Sequence, residues 1–204
     1  MGPSVTARTH YNAEAPGLPY NPLKALVAPR PIGWISTYTE DGVPNLAPYS
    51  FFNLVADKPK IVMFSSVGWK HSARNAVARG AFAVNVATHN LLDAMNISSA
   101  AYADGENEFD HAGLTAEPCV EVDAPMVAEA VATLECRVTE SIRPRTVDGN
   151  EADSVTVFGQ VMSFHIADHL MIDGRFDSAG AKLLSRLGYK DYATIERTFE
   201  LDRP

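Results

Sequence analysis

Short runs of β-branched and aromatic residues, separated by turn-forming residues, dominate the first half of the chain. Four such runs occupy residues 32–38, 46–52, 60–66 and 81–87. Apolar runs of this length that end at Gly, Pro, Asn or Asp are typical of β-strands. We therefore predict one strand in each run.

Two longer strands are predicted in the second half of the chain. Residues 131–142 alternate between apolar and polar positions, which places Cys136 on an apolar face. A turn around Gly149 leads into residues 154–166. Within that second strand, Gly159 predicts a bulge or a bend.

A few helices are predicted among these strands. The segment from Ser72 to Gly80 is rich in alanine, its serine can cap a helix, and its glycine can end one. Residues 89–103 and 179–188 are the other predicted helices, and residues 104–113 form a predicted polar loop. The predicted fold class is therefore mainly β with inserted helices.

The predicted organisation is one domain behind an N-terminal arm. Residues 1–22 hold four prolines and little periodicity, so we predict an extended arm there. Residues 23–204 contain no internal repeat or linker and form the predicted domain. Six or more strands with a few helices predict a closed or nearly closed barrel, because closure removes exposed strand edges.

Composition and charge narrow the class of protein. Hydrophobic residues make up 46% of the chain and charged residues 21%, as in ordinary globular proteins. A net charge of -8 argues against nucleic acid and against an anionic membrane as partners. No apolar run is long enough to span a membrane, and residues 1–22 lack the apolar core of a signal peptide. We therefore predict a cytoplasmic protein.

The two cysteines are predicted to be reduced thiols without a structural disulfide. Cys119 and Cys136 show no CxxC spacing in a chain without a secretion signal. The alternation of its strand makes Cys136 a small core residue, and nothing in the sequence positions Cys119 to meet it.

Several familiar motifs of catalysis and nucleotide binding are absent. The sequence contains neither GxGxxG nor GxxxxGK[ST], and it has no GxSxG nucleophile elbow. His165 and His169 are four residues apart, but they lie at the end of a predicted strand and form no HExxH motif. We therefore predict no metal site.

Polar residues that suit a phosphate group surround Lys70. The preceding strand ends in Ser65 and Ser66, and Ser72 opens the next helix. Serine hydroxyls, a lysine and free amides at a helix N-terminus together suit a phosphate monoester. A simpler interpretation stays open at this point, in which Ser72 and Asn75 only serve the first helical turn and Lys70 is a solvated charge.

The stretch from residue 44 to residue 53 combines an apolar strand with a proline and three hydrogen-bonding side chains. Its position after a turn predicts the return strand of a hairpin. Yet Pro48 removes a ladder donor, and Asn45, Ser50 and Asn53 add two amides and a hydroxyl. This pattern indicates either a bulged strand with incidental polar residues or a strand whose polar groups face a ligand.

Four segments, in this order and spacing, resemble the flavin reductase-like family of FMN-binding split barrels. They are PRPIGWIST (29–37), DGVPNLAPYSFFN (41–53), FSSVGWKHSARN (64–75) and FAVNV (82–86). The tail LLSRLGYKDYATI (183–195) is similar to the closing segment of the family. The resemblance covers most of residues 22–195 and implies a split β-barrel.

The chain departs from the family pattern at two places. After the lysine it has His71-Ser72, where the family has an acidic residue followed by threonine. It also has Tyr189 where the family has a second glycine. Serine keeps the hydroxyl of threonine, so the resemblance still implies phosphate binding. The changes at His71 and Tyr189 bear on affinity or substrate access.

The resemblance implies an FMN site built from two groups of residues. The group under and beside the isoalloxazine ring is Asn45, Ala47, Pro48, Tyr49 and Ser50. The group that binds the ribityl phosphate is Ser65, Ser66, Lys70 and Ser72, with Asn75 as a weaker candidate. In this interpretation, Pro48 stops the strand from pairing further and thereby frees main-chain groups for the flavin.

Five further residues invite a functional interpretation. Asn85 is expected to be a buried amide with satisfied hydrogen bonds. Trp34 and Trp69 are expected in the core or at the rim of the pocket, and a stack on the flavin stays open for Trp69. For Arg30 and Arg186 two roles stay open, namely a contact with the phosphate or a surface charge without a ligand.

The implied activity is NAD(P)H-dependent reduction of bound FMN in a homodimer, with the flavin at the subunit boundary. The cofactor carries the hydride chemistry, so no catalytic side chain is predicted. Without a dinucleotide-binding fingerprint, the nicotinamide is expected to stack on the open flavin face, and a monooxygenase or another electron-acceptor protein is the expected partner. Two alternatives stay open, because the same pocket would serve a flavoredoxin-like electron carrier reduced by a protein or a non-redox flavin-binding protein.

Overall fold

A computed structural model describes residues 6–203 of the chain. Its strands are β1 (Arg30–Pro31), β2 (Gly33–Tyr38), β3 (Pro44–Tyr49), β4 (Phe52–Asp57), β5 (Lys60–Val67), β6 (Ala81–Val86), β7 (Ala116–Pro118), β8 (Pro125–Val127), β9 (Ala132–Ile142), β10 (Ser154–Ile166), β11 (Met171–Ile172), β12 (Arg175–Phe176), β13 (Leu184–Arg186) and β14 (Tyr192–Thr194). Its α-helices are α1 (Leu23–Leu26), α2 (His71–Arg79), α3 (Leu92–Ile97) and α4 (Glu108–Ala112), and two 3-10 turns cover His89–Leu91 and Asp168–Leu170.

Seven of these strands form one antiparallel sheet that curls into a barrel. The strand order is β3-β2-β6-β9-β10-β5-β4. The two outermost strands, β3 and β4, are consecutive in the chain and are separated only by Ser50 and Phe51. The Tyr49 ring on β3 also packs against the Phe64 ring on β5, with ring centroids 5.0 Å apart. The predicted split β-barrel is therefore confirmed, and its closure brings the ends of β3 and β5 together.

The interior of the barrel is packed with apolar side chains. Phe64 and Phe82 are fully buried, and their ring centroids are 5.2 Å apart in an edge-to-face arrangement. Burying a side chain of this size contributes about 1.5–3 kcal/mol to folding. Gly159 faces this pair, and a Cβ atom there would lie 2.5 Å from the Phe82 ring. The register of the ladder between β9 and β10 shifts next to Gly159, which confirms the predicted bulge.

A second apolar cluster joins the barrel to the helices outside it. Trp34 and Leu46 on the sheet pack with Met95 of α3 and Phe109 of α4. All four side chains are buried. This cluster holds α3 and α4 next to strand β3, where the predicted flavin bed lies.

The strand predicted over residues 46–52 is in fact two strands. A bend at Ser50 and Phe51 divides it into β3 and β4, because the chain turns a corner of the barrel there. The interpretation that Pro48 stops the pairing was wrong, since the ladder between β2 and β3 continues to the pair of Tyr49 with Gly33. A proline is tolerated there because β3 is an edge strand of the sheet.

Helix α2 begins one residue earlier than predicted and has a different cap. Its N-cap residue is Lys70, and no side chain caps its first turn. The predicted capping role of Ser72 was therefore wrong, while Gly80 ends the helix in a left-handed conformation as expected. The first-turn N–H groups of α2 are thus left without a side-chain partner.

In the region of the second predicted helix, the 3-10 turn His89–Leu91 runs directly into the short helix α3. The helix predicted over residues 89–103 ends at Ile97, because the hydroxyls of Ser98 and Ser99 bond to carbonyls of the last helical turn. The predicted loop over residues 104–113 instead contains α4.

The helix predicted over residues 179–188 was also wrong. This segment contains strand β13, which pairs with both β1 and β14. Pairing with distant strands overrides the local helix propensity of the alanine and leucine residues. Gly188 follows β13 and packs against α1, where a Cβ atom would lie 2.5 Å from the Cβ atom of Ala25.

The described part of the predicted arm, residues 6–22, contains no helix or strand and is almost entirely exposed. Residues 1–5 of that arm lie outside the described residues. The division into an arm and a domain from residue 23 stays a prediction. Among the described residues, no helix is long and apolar enough to cross a membrane.

Both cysteines are free thiols, as predicted. Burial, and then the nearby charge of Glu135, raise the pKa of Cys119 to about 12. Burial likewise raises the pKa of Cys136, which is fully enclosed in the barrel core. Neither thiol therefore has the thiolate character that nucleophilic chemistry requires.

Candidate functional site

A cavity of about 570 Å³ opens beside the end of strand β3. Its walls come from β3, from the start of helix α2 with the loop before it, and from the segment between α3 and α4. Pockets for small ligands and cofactors span roughly 300–1,000 Å³, so this cavity has the size of a cofactor site.

Six of the nine residues predicted to bind the cofactor line this cavity. They are Asn45, Ala47, Pro48, Tyr49, Lys70 and Ser72. Ser50 lines a second, adjoining cavity of about 330 Å³. The fold therefore brings predicted residues that are up to 27 positions apart in the chain to the wall of one cavity.

Ser65 and Ser66 line neither of these two cavities. They follow each other on β5, so their side chains point to opposite faces of the strand. Ser66 points inward and is buried, and its hydroxyl has no hydrogen-bond partner within residues 6–203. Ser65 is half-buried on the other face. Their predicted contact with a phosphate stays a prediction.

Asn45 lies at the centre of a buried hydrogen-bond network on the cavity wall. Its amide nitrogen donates to Glu108 Oε1 at 2.8 Å, and the N–H of Leu46 donates to Glu108 Oε2 at 3.0 Å. The hydroxyls of Ser72 and Thr37 donate to Asn45 Oδ1, at 3.0 and 3.2 Å. This network joins β2, β3, α2 and α4 at one point.

The two oxygens of Glu108 fix the orientation of the Asn45 amide. One accepts from the Asn45 amide nitrogen and the other from the Leu46 N–H, so the NH₂ group of Asn45 faces Glu108. The carbonyl oxygen of Asn45 then faces Ser72 and receives its proton. Ser72 is left with lone pairs for a ligand, and it can accept a hydrogen bond while it donates to Asn45.

Asn75 belongs to the same network and does not line the main cavity. Its amide nitrogen donates to the Thr37 hydroxyl at 3.3 Å, and its side chain is buried. Asn75 thus contacts the protein interior, which agrees with its being a weaker candidate for phosphate binding than the other predicted residues.

Lys70 is the cation best placed to bind an anion in the cavity. It stands directly before α2, its side chain is exposed, and it makes no ion pair with any residue in 6–203. The uncapped N–H groups of α2 lie beside it. A helix N-terminus carries a partial positive charge, so the lysine and the helix act on an anion in the same direction.

The departure at His71 places an imidazole next to Asp104 on the cavity wall. His71 Nε2 lies 2.6 Å from Asp104 Oδ1, and Arg74 lies 3.0 Å from the same oxygen. The hydrogen bond and charge of Arg74, and then the charge of His71, hold the pKa of Asp104 below its usual range. Asp104 therefore ties the loop before α4 to helix α2.

Tyr49 presents a neutral phenol next to the network. Burial raises the pKa of Tyr49 above 10.0, although the neighbouring hydroxyls of Ser72 and Ser66 act in the opposite direction. A neutral phenol can donate one hydrogen bond, and its ring contacts Phe64 in the core at 5.0 Å between centroids.

Glu108 is a site residue that was missed in the sequence. It is buried and lines the cavity, because Asn107 caps α4 by accepting from the Phe109 N–H at 3.0 Å. A signal was present, since Asn107 precedes the apolar Phe109 and Gly113 follows the helix in a left-handed conformation. A capped turn was therefore readable in the segment predicted as a loop.

Three other residues considered in the sequence analysis lie where they were expected. Asn85 is buried with its amide fully bonded, to Trp34, Ser36, Val127 and Thr133. Trp34 is buried in the core and donates to Ser98, whereas Trp69 is exposed at the rim of the main cavity. The expectations for these three residues are confirmed.

Arg30 is a structural residue rather than a phosphate ligand or a surface charge. Its guanidinium is buried and donates to the carbonyls of Lys24, Val27 and Leu187. These bonds tie α1 and the segment after β13 to strand β1. Arg186, by contrast, lines the second cavity together with Ser50.

The residues of the main cavity fit a flavin mononucleotide. Ala47 and Pro48 offer an apolar bed on the cavity wall, and Lys70 with the uncapped start of α2 offers an anion site on the wall of the same cavity. A flat aromatic ring system with a phosphate-bearing side chain needs both features. Within residues 6–203, no cluster of three or more His, Cys, Asp or Glu side chains could hold a metal ion.

Comparison with known proteins agrees with this geometry. The family described as flavin reductase like domain matches residues 26–180. An uncharacterised protein from Halalkalibacterium halodurans is 36% identical over 191 residues, which cover 91% of this chain and 90% of that protein. Nitrilotriacetate monooxygenase component B from Bacillus cereus superposes with a TM-score of 0.84 at 31% identity, over 98% of this chain and all of that one (100%).

Flavoredoxin of Desulfovibrio vulgaris shares the fold, with a TM-score of 0.77 at 19% identity over 98% of this chain and 97% of that one. The barrel and its cavity thus define a split-barrel protein of the flavin reductase type. The chain belongs to the flavin reductase-like domain family, which ties it to flavin-related redox chemistry.

Proposed function

We propose that this protein binds FMN in the main cavity and reduces it with NAD(P)H. The observation that carries the proposal is the pairing of an apolar bed, Ala47 and Pro48, with the unpaired Lys70 at the uncapped start of α2. Riboflavin would use only the first feature, whereas FMN would use both. Bound flavin supplies a centre that takes two electrons and a proton as a hydride from the C4–H of a dihydronicotinamide.

Each predicted residue has a role in this proposal. Asn45, Ala47, Pro48, Tyr49 and Ser50 would hold the ring, and Lys70 would hold the phosphate, with Ser65, Ser66 and Ser72 as its further predicted partners. The protein would orient the flavin and leave one face of the ring accessible to the nicotinamide. No side chain needs to act as an acid or a base for a hydride transfer.

The proposal extends to partners and location. We infer a homodimer, because the single chain leaves large apolar side chains of its arm and tail exposed, among them Tyr20, Phe199 and Leu201. The 31% identity to a monooxygenase component supports delivery of reduced flavin to a monooxygenase partner. A cytoplasmic location is proposed from the two reduced thiols.

The cofactor assignment is tested by replacing the lysine. Lys70→Ala should weaken FMN binding by about ten- to hundredfold, since a charge-assisted hydrogen bond contributes roughly 1.5–3 kcal/mol. Riboflavin binding should be nearly unchanged, because riboflavin lacks the phosphate. Fluorescence titration with both flavins measures the difference, and Lys60→Ala, an exposed lysine on β5, is the matched control. Equal losses for the two flavins would refute the phosphate assignment.

The electron donor is tested by anaerobic mixing of the FMN-loaded protein with NADH or NADPH. Bleaching of the flavin absorbance that grows with nucleotide concentration supports the reductase. If neither nucleotide bleaches the flavin and a ferredoxin-type protein does so promptly, the protein is an electron carrier of the flavoredoxin kind. Resistance to every donor would indicate a non-redox flavin-binding protein.

A further inference from the structure

The second cavity, of about 330 Å³, adjoins the main one and has its own polar groups. The two cavities share Pro48 and Ser99 on their walls. Arg186 is the one charged residue that lines the second cavity within the described part of the chain. The cavity is thus a positively charged space next to the predicted flavin bed, in a protein whose net charge is -8.

The guanidinium of Arg186 is held in a fixed position. One of its nitrogens donates to the Tyr189 carbonyl at 2.6 Å, and its Cζ atom lies 4.4 Å from the ring centroid of Tyr192. Strand β13 holds its backbone between β1 and β14. An arginine has five N–H donors in a planar fork, so most of its donors are left for another group.

Arg186 also has no negative partner in the protein. It makes no salt bridge with any residue in 6–203, and no acidic residue lines the cavity. One further donor lines the same walls, since the Asn96 side-chain amide has no hydrogen-bond partner among the described residues. A fixed cation with an unused neutral donor beside it is an arrangement that suits an oxyanion.

We propose that the second cavity binds the phosphate or carboxylate group of the small molecule that exchanges electrons with the flavin. Arg186 recognises the anion, and the Asn96 amide donates to one of its remaining oxygens. This inference rests on the proposed flavin chemistry of the main cavity and names the substrate class for it. The anion belongs either to the pyrophosphate of a nicotinamide dinucleotide or to an acidic organic electron acceptor.

The test compares charged and neutral reactants on the FMN-loaded protein. In anaerobic stopped-flow mixing, Arg186→Gln should lower the rate of reduction by NADH and NADPH about ten- to hundredfold at subsaturating concentration. Reduction by the neutral donor 1-benzyl-1,4-dihydronicotinamide should change less than twofold. Arg186→Lys, which keeps the charge and loses the fork, should recover part of the rate with the dinucleotides.

A second arm measures re-oxidation of the photoreduced protein. If the anion belongs to the acceptor, Arg186→Gln slows re-oxidation by 1,4-naphthoquinone-2-sulfonate and not by neutral 1,4-naphthoquinone. Lys190→Gln removes a charge from the same turn without touching the cavity and should leave both arms unchanged. Either arm alone supports the proposal and identifies the source of the anion.

Three results would overturn the inference. Equal losses for charged and neutral reactants in both arms would mean that Arg186 only supports the structure of the turn. Unchanged rates in both arms would mean that the cavity binds no reactant. If Arg186→Gln weakened the binding of FMN but not of riboflavin, Arg186 would bind the phosphate of the cofactor and not a reactant. If neither NADH nor NADPH reduced the wild-type protein, the proposed reductase activity would be refuted. The re-oxidation arm would still test the role of Arg186.

Discussion

At the scale of single residues, the cavity is built from side chains that lie far apart in the sequence. Lys70 and Ser72 were readable because a strand end, a short loop and a helix start are adjacent in the chain. The capped turn that carries Glu108 was readable too, but the contact of Glu108 with Asn45, 63 positions away, was not, because only the fold brings the two residues together. A residue whose role depends on a distant partner cannot be assigned from its neighbours in sequence.

Glu108 leads to a prediction about stability. Glu108→Ala leaves the Asn45 amide and the Leu46 N–H without acceptors in a buried position, so we expect a loss of about 2–4 kcal/mol in the free energy of unfolding. Glu108→Gln keeps one acceptor and should lose less. Asp110→Ala, an exposed acidic residue on the same helix, should change stability by less than about 0.5 kcal/mol. Urea unfolding of the three variants without FMN measures this, and equal effects of the two alanine variants would contradict the role of the network.

At the scale of elements, strands were predicted better than helices. The pattern that predicted these strands is the alternation of β9 and the turn-bounded apolar runs of β2, β5 and β6. Burial determines this pattern within each strand, so it can be read from the local sequence. The predicted helix over residues 179–188 failed because β13 exists only through pairing with β1 and β14. Short strands of this kind have no sequence pattern that is long enough to read.

The buried carboxylate of Glu135 links strands β9 and β10 and the loop before β8. Glu135 on β9 is fully buried, accepts from the N–H groups of Val120, Glu121 and Val122, and lies 2.5 Å from His165 Nε2 on β10. Burial alone would raise the pKa of Glu135. The hydrogen bond from His165 and those from the loop outweigh burial and lower the pKa below its ordinary 4.5.

This pKa shift predicts a pH dependence of stability. Because the folded pKa of Glu135 lies below the unfolded one, its contribution is present above about pH 4.5 and is lost as the pH falls through the folded pKa. Glu135→Gln should therefore be clearly less stable than the wild type at pH 6, and the difference should shrink below pH 4.5. Urea unfolding between pH 3 and pH 6 checks this, with the exposed Glu140→Gln on the same strand as the control. A difference that stays constant across this range would show that the Glu135 charge is not linked to folding.

At the scale of the whole molecule, the barrel was predictable from the number of strands, but the strand order was not. Closure follows from the need to pair edges, whereas the order β3-β2-β6-β9-β10-β5-β4 requires pairings between distant segments, such as β6 with β9. The main cavity lies where β3 meets the start of α2 and the segment between α3 and α4, and these parts are far apart in the chain. The residues that line the cavity could therefore be predicted as neighbours only through the family resemblance.

The tail after β14 carries the last prediction, which concerns assembly. Phe199 and Leu201 are 90% and 86% exposed, so they pack against almost nothing in their own chain. If they cover a second copy, burying each side chain contributes about 1.5–3 kcal/mol to the dimer. The double variant Phe199→Ser/Leu201→Ser should then raise the dimer dissociation constant at least about tenfold. Val147→Ser removes an equally exposed apolar side chain from the turn between β9 and β10 and should leave the constant unchanged. Light scattering across a dilution series of FMN-loaded protein measures it. A wild-type monomer mass with FMN bound would exclude the dimer, and an unchanged constant in the double variant would exclude the tail from the interface.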